Sequence, residues 1–145
     1  MTKIWILTAN SSQARLFTAD SPIGPLTELE TFDNPDARAK QMDLTSDRQG
    51  RSFDSHGDGR HAMAVEVDPK EQEQIRFAKL IAGRLEQGRV ANTFERLVVV
   101  AAPAFLGLLR THFNASLNAL LSLEIDKDYT ACKAEELRAR LPQRL

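Results

Sequence analysis

The sequence has 145 residues, 42% of them hydrophobic and 27% charged, a balance typical of a soluble globular protein and a length that excludes two large domains. The 19 basic and 20 acidic side chains give a formal net charge of -1. These totals do not require nucleic acid as a partner, and they do not exclude a local basic face. No apolar run approaches the roughly 18 residues of a membrane-spanning helix, and the N-terminal apolar stretch is too brief for a signal peptide.

The first third of the sequence predicts strands. Residues 3–9 are apolar on both faces, which is typical of a strand at the centre of a sheet. The turn residues 10–12 lead to alternating residues 13–19, so a hairpin is expected. Residues 26–32 mix polar with apolar side chains and predict a third, more exposed strand that ends at Asn34-Pro35.

A long polar loop follows at residues 36 to about 61. It keeps only Met42, Leu44 and Phe53 as large apolar residues. Loops longer than about 12 to 15 residues are uncommon in compact domains and are usually functional or disordered. Any proposed function therefore has to account for this segment.

A helix begins after the loop. Residues 68–71 supply a capping aspartate, a proline at the first helical position and an early glutamate. Apolar residues at helical spacing predict that the helix runs to about Gln87, with Glu73 on the solvent side and Gly88 closing it.

The remaining sequence predicts alternating strands and helices. An apolar run at 97–102 predicts an interior strand, and Pro103 opens a helix to about residue 111. Residues 121–125 predict a half-buried strand, and a short helix is expected from Thr130 onward. Hairpins come first in this sequence and crossover helices come later. This order predicts one domain over 1–145, of α/β class with α+β character. The expected architecture is a mixed, ribonuclease H-like sheet of about five strands with helices packed on it.

Two patterns in the loop suggest chemistry that we do not favour. Residues 57–62 match the glycine pattern of dinucleotide-binding turns, but a polar loop precedes them and extended residues follow, whereas such turns need a strand before and a helix after. His56, His61, Asp54 and Asp58 match no established spacing for metal ligands. We predict no metal and no cofactor.

The charges of the loop allow two interpretations. Its cations could contact phosphates, but its aspartates are interleaved with them, which favours a loop braced by ion pairs. Phe53 could stack on a base or anchor the loop, and anchoring is favoured. The cations of the loop are Arg38, Lys40, Arg48, Arg51 and Arg60.

Three segments carry a resemblance to a known family. Residues 9–17, 43–55 and 100–110, in this order, resemble the bacterial host attachment family, proteins required for attachment to host cells, and the resemblance covers essentially the whole chain. That family in turn resembles the middle domain of archaeal and eukaryotic peptide-chain release factors. The resemblance implies a fold of the same kind, with a sheet and packed helices.

The resemblance also implies where the chain acts. Release factors carry a Gly-Gly-Gln tripeptide on the corresponding loop, and here that loop has Gln49-Gly50 and no such tripeptide, so release chemistry is not expected. The resemblance implies that the corresponding loop is also the site of action in this chain. The binding residues implied are Asn10, Arg15, Asp47, Arg48, Gly50, Arg51, Ser52, Phe53 and His61.

We therefore expect a cytoplasmic, non-enzymatic binding protein that contacts RNA or the ribosome through residues 43–55, with an indirect effect on attachment. The single cysteine, Cys132, has no disulfide partner in the chain and agrees with a reducing compartment. One alternative is a hydrolase of an RNA or ester bond that uses Asp47, Asp54 and His61. Another is a direct surface adhesin, although the sequence offers no support for a host-surface partner, and a homodimer paired through a sheet edge stays open.

Overall fold

The computed structural model describes residues 2–35 and 68–145. The strands are β1 (Ile4–Ala9), β2 (Gln13–Ala19), β3 (Thr27–Asp33), β4 (Arg96–Ala101) and β5 (Leu121–Ile125). The helices are α1 (Pro69–Val90), α2 (Pro103–Arg110), α3 (Ala115–Leu120) and α4 (Ala134–Arg140). Each predicted strand is present, with bounds that differ from the prediction by one residue at most.

The described strands form one mixed sheet in the order β3-β2-β1-β4-β5. β1 pairs antiparallel with β2 and parallel with β4, while β3 is antiparallel to β2 and β5 is parallel to β4. All six residues of β1 are buried, which confirms its predicted central position. β1, β3, β4 and β5 consequently all end at the same side of the sheet, which we call the carboxyl edge.

Helices cover both faces of this sheet. Trp5, Leu7 and Ala9 of β1 point to one face, where they pack with buried residues of α1, α2 and α3. Ile4 and Ile6 point to the other face, where α4 and the C-terminal residues pack. The two-residue repeat of a strand explains why a wholly apolar β1 is needed: each face has its own helical layer.

Helix α1 starts as predicted but ends later. Asp68 accepts a hydrogen bond from the backbone N–H of Lys70 (3.2 Å), and Pro69 is the first helical residue. Gly88 does not close the helix, which continues to Val90. Gly88 lies inside the helix because its missing side chain leaves room for the ring of Trp5. The chain reverses at Asn92, whose φ of 60° is left-handed.

Glu73 is buried, not solvent-facing as predicted, and is 6% exposed. Its backbone carbonyl accepts a hydrogen bond from the Asn34 side chain (3.4 Å), and its carboxylate accepts one from Arg76 (2.8 Å). The chain leaving β3 therefore covers this position. A periodic pattern read along α1 alone contains no information on that contact.

Two features of the C-terminal third differ from the sequence-based expectation. Helix α3 was not predicted, because six residues are too few to show a helical repeat. Asn114 starts it by accepting a hydrogen bond from the backbone N–H of Leu117 (2.7 Å). The terminal helix starts at Ala134 and not at Thr130, since the side chain and carbonyl of Thr130 are bound elsewhere. Within the described ranges, no helix combines the length and the apolar character needed to cross a membrane.

Candidate functional site

The carboxyl edge of the sheet is the candidate functional site. Ala9 and Ala101, the last residues of β1 and β4, are paired there, and the backbone N–H of Ala102 donates to the carbonyl of Ala9 (3.2 Å). From β1 the chain turns to one side through the hairpin, and β4 lies on the other side. In open sheets with helices, ligands bind outside the carboxyl ends of strands where the connections diverge in this way.

Asn34, which precedes segment 36–67, is tied to this edge. Asn34 is 7% exposed, and its side-chain amide donates to the carbonyls of Ser11 (3.1 Å) and Glu73 (3.4 Å). It thereby joins the β1–β2 turn to the start of α1. On the other side of the segment, Asp68 caps α1. Asn34 therefore connects the chain before the segment to the helix after it, whereas the contact of Asp68 is local to α1.

Asn10 is at the centre of a polar cluster on this edge. Its side-chain amide donates to Asp128 Oδ2 (3.0 Å) and Thr130 Oγ1 (3.1 Å). Its side-chain oxygen accepts from the backbone N–H groups of Ser12 (2.8 Å) and Gln13 (2.9 Å). An asparagine side chain offers two donors and one oxygen with two lone pairs, so these four bonds use its full capacity. Asn10 shapes the turn and fastens it to the chain after β5.

Arg15 extends the cluster along β2. Its Nε and Nη2 atoms donate to the two carboxylate oxygens of Glu28 (3.1 and 2.8 Å). Its Nη1 atom donates to the carbonyls of Thr130 (3.0 Å) and Cys132 (2.8 Å). The hydrogen bond with Glu28 raises the pKa of Arg15, and the same bond lowers the pKa of Glu28. The planar guanidinium therefore links β3 to residues 130–132.

Asp128 is held in its ionised form by this cluster. Burial alone would raise the pKa of its carboxyl group, but hydrogen bonds from the hydroxyl of Thr130, the amide of Asn10 and the backbone of Thr130 together lower it. The shortest of these bonds joins Thr130 Oγ1 to Asp128 Oδ1 at 2.6 Å. The cluster thus contains two fixed negative charges, on Asp128 and Glu28, and one fixed positive charge, on Arg15.

The structure describes two of the predicted binding residues, Asn10 and Arg15, and brings them into one cluster. Whether either also contacts a ligand stays a prediction. The sequence reasoning missed Asn34, Asp128 and Thr130, although an aspartate two residues before a threonine just after a strand is a usable signal for a side-chain-capped turn. The predicted residues Asp47, Arg48, Gly50, Arg51, Ser52, Phe53, Asp54 and His61 lie outside the described residues.

Residues 2–35 and 68–145 contain no candidate metal site. No group of three or more His, Cys, Asp and Glu side chains in these ranges is placed to hold an ion. The carboxylates of Asp128 and Glu28 are instead bound by Asn10 and Arg15, respectively. The hydrogen bonds of the described cluster therefore connect the β1–β2 turn to the chain that follows β5.

A shallow cleft of about 530 Å³ lies at the opposite edge of the sheet, beside Lys3 and Thr93. The ring of Trp5 is stacked on Phe94 at 4.5 Å, and the guanidinium of Arg84 lies 5.1 Å above the Trp5 ring. Both rings are only 3% exposed. Nucleic-acid bases stack on exposed aromatic faces, so this cleft is not suited to bind bases.

Comparison with protein families gives one match. The model of the family described as "Protein required for attachment to host cells" matches residues 5–141. That range includes every described strand and helix except the first residue of β1. No curated protein matches the chain.

Comparison with one solved structure supports the fold. An archaeal translation termination factor is similar over 97% of this chain, with 12% sequence identity and a TM-score of 0.51. The chain spans 35% of the length of that factor. The type II variant of the Aquifex aeolicus Ppx/GppA phosphatase is similar over 86% of this chain and 35% of its own length, with 12% identity and a TM-score of 0.39.

Proposed function

The chain belongs to the family of proteins required for attachment to host cells, and from that premise we propose that it is a non-enzymatic binding protein whose segment 43–55 contacts RNA or a ribosomal component. Its effect on attachment is then indirect. The observation that carries the proposal is that Asn34, just before segment 36–67, joins the β1–β2 turn at the carboxyl edge to the first turns of α1, just after the segment.

The chemistry of the segment supports a polyanionic partner. Arg48 and Arg51 lie on either side of Gln49-Gly50. Arginine presents a planar fork of donors that matches phosphate oxygens. Glycine permits backbone conformations that other residues resist, which allows a close approach to a ligand.

The fold likeness gives an order in which to test polyanionic partners. The similar solved structure is a translation termination factor. A likeness at 12% identity speaks for the fold alone, and one fold hosts many functions. The ribosome is therefore the first partner to test.

The test is sedimentation of a tagged chain through a ribosome gradient at low and moderate salt. The wild type is compared with the double variant Arg48→Ala plus Arg51→Ala. A matched control, Lys3→Ala plus Arg144→Ala, removes the same charge from outside the segment. We expect salt-sensitive co-migration with ribosomes that the control retains and the double variant loses.

Three results would contradict the proposal. If the wild type stays at the top of the gradient at both salt concentrations, the chain is not a stable ribosome binder. If it instead cleaves RNA or an ester and a chelator stops the reaction, the hydrolase with Asp47, Asp54 and His61 is favoured. If labelled chain is found on the cell surface, a direct adhesive role is favoured.

A further inference from the structure

The outward side of α1 has a row of exposed residues that no described element covers. These are residues 76, 80, 83, 87 and 90, spaced alternately by four and three positions. Leu80 (56% exposed) and Val90 (63% exposed) lie on this row, and they are two of the four large apolar residues that are exposed in the described ranges. Alternating steps of four and three are the spacing with which one helix packs against another. This row, which we call the α1 stripe, is therefore suited to a second helix.

Gly83 lies at the middle of the α1 stripe and has no packing role in the described fold. A Cβ atom added there would meet no atom within 4 Å, whereas one added at Gly88 would meet the ring of Trp5. Glycine is unfavourable inside a helix, and it allows another chain to approach the backbone closely. Gly83 thus leaves a gap in the stripe that a side chain of a second helix fills.

The flank of α1 beside the stripe has one charge of each sign. Lys79 and Glu86 both line a groove between α1 and the residues that join α2 to α3. Lys79 is exposed and makes no ion pair within the described ranges. The hydrogen bond from Arg89 lowers the pKa of Glu86 to about 2, so its carboxylate is ionised at neutral pH. A carboxylate has about four lone-pair sites, and Glu86 can therefore accept a further hydrogen bond besides those from Arg89.

The order of these two charges favours a second copy of α1 that runs in the opposite direction. Lys79 precedes Gly83 by four residues, and Glu86 follows it by three. In an antiparallel pair that crosses at Gly83, each lysine lies beside the glutamate of the other copy. In a parallel pair the like charges meet, which is unfavourable.

We propose that two copies of the chain form a dimer through the α1 stripe, with their α1 helices antiparallel and crossing at Gly83. Two-fold symmetry places Leu80 of each copy against Gly83 of the other, and Lys79 beside Glu86 of the other copy. Val90 then packs on the aliphatic part of Arg76. Neither free edge of the sheet takes part. This inference does not depend on the proposed function at segment 43–55.

The expected dimer is weak. α1 has 22 residues, and a helix of that length spans about 33 Å. With one helix per copy in contact, the interface falls below the roughly 1,200 Å² at which stable interfaces begin. We expect a Kd of about 100 µM, so the chain is a monomer at low micromolar concentration.

The experiment is sedimentation equilibrium of the full chain at concentrations from about 5 to about 500 µM, on both sides of the expected Kd. The average mass should rise from 16.2 kDa towards twice that value. Leu80→Glu places a carboxylate at the crossing and should abolish the rise. Ile23→Glu makes the same change at a residue that is 64% exposed outside α1, and should retain it. Circular dichroism checks that each variant is folded.

A second pair of variants tests the gap at Gly83. Gly83→Gln fills the gap without adding an apolar side chain, and should raise the Kd by about tenfold or more. Gly107→Gln is the matched control, because Gly107 is another exposed helical glycine at which an added Cβ would meet no atom within 4 Å. This control should dimerise like the wild type.

A third pair of variants tests the antiparallel direction. Lys79→Glu should weaken the dimer, because the new carboxylate lies beside Glu86 of the other copy. An equimolar mixture of Lys79→Glu and Glu86→Lys chains should restore dimerisation, since each pair then again has opposite charges.

Four results would overturn the proposal. The first is a mass of 16.2 kDa at every concentration. The second is a Leu80→Glu variant that dimerises as well as Ile23→Glu, which favours a dimer through a sheet edge. The third is a Gly83→Gln variant with the Kd of Gly107→Gln. The fourth is a Lys79→Glu variant with the wild-type Kd.

Discussion

Two glycines in α1 provide a matched test of how this helix packs. A side chain added at Gly83 would meet no atom within 4 Å. One added at Gly88 would lie 2.5 Å from Trp5 Cζ3 and 3.0 Å from Phe94 Cε1. Trp5 cannot retreat easily, because its ring is stacked on Phe94 at 4.5 Å and is only 3% exposed.

The expected energies follow from this geometry. In either variant, replacing a helical glycine by alanine favours folding by up to about 1 kcal/mol. Only Gly88→Ala adds a clash in a packed core, which costs about 1 to 3 kcal/mol. The difference between the two variants cancels the helix-propensity contribution and leaves the cost of the clash. We expect Gly83→Ala to be more stable than the wild type and Gly88→Ala to be less stable.

Urea unfolding followed by far-ultraviolet circular dichroism measures both variants. A shift of the midpoint at constant m-value reports a change in the free energy of unfolding. Tryptophan fluorescence is a poor probe here, because Trp5 is the residue that the substitution disturbs. Equal stabilisation of the two variants would refute the close packing of Gly88 against Trp5.

Three further predictions concern single contacts. Arg138→Lys should lower the free energy of unfolding by about 1 to 2 kcal/mol in urea unfolding, since lysine lacks the guanidinium that donates to four carbonyls. Asn114→Ala should cost about 1 kcal/mol through loss of the α3 cap, and Asn114→Ser, which keeps a capping oxygen and adds no charge beside Glu86, should restore most of it. The hydrogen bond with Arg89 lowers the pKa of Glu86 from 4.5 to about 2. The stabilising effect of the Glu86 carboxylate is therefore present above pH 4.5 and is lost as pH falls towards 2. Glu86→Gln should reduce the dependence of the free energy of unfolding on pH between these values. The carbonyls bound by Arg138 are those of Pro22, Gly24, Pro142 and Gln143.

The central strands were predictable because their burial on both faces requires apolar residues. β1 packs between two helical layers, so apolar side chains on both faces were required and visible. The start of α1 was equally visible, since Asp68 and Pro69 form a local signal that needs no distant partner.

The errors concern contacts between residues that are distant in the sequence. Gly88 lies inside α1 because the ring of Trp5 packs against it, and Glu73 is buried where Asn34 contacts the helix. Similarly, Asn10 and Asp128 are 118 positions apart and meet only when β5 lies beside β4 in the sheet. Patterns of local spacing contain no information about such pairs.

The candidate site was predictable only in part. The resemblance at residues 9–17 singled out Asn10 and Arg15, and both lie at the carboxyl edge or next to it. Their partners Asp128 and Thr130 were not singled out, because side chains that brace a turn resemble ordinary polar loop residues in sequence. The role of segment 43–55 rests on its chemistry and on the contacts of Asn34, and it stays a prediction.

The central claim is that Arg48 and Arg51 contact phosphates of a ribosomal or RNA partner. The most direct measurement is the affinity of the purified chain for ribosomes over a series of salt concentrations. Each phosphate contact to a single strand contributes about 0.7 to the slope of log affinity against log salt. Replacing both arginines by alanine should therefore reduce the slope by about 1.4. The control variant Lys3→Ala plus Arg144→Ala should keep the wild-type slope, and an unchanged slope in the Arg48→Ala plus Arg51→Ala variant would contradict the claim.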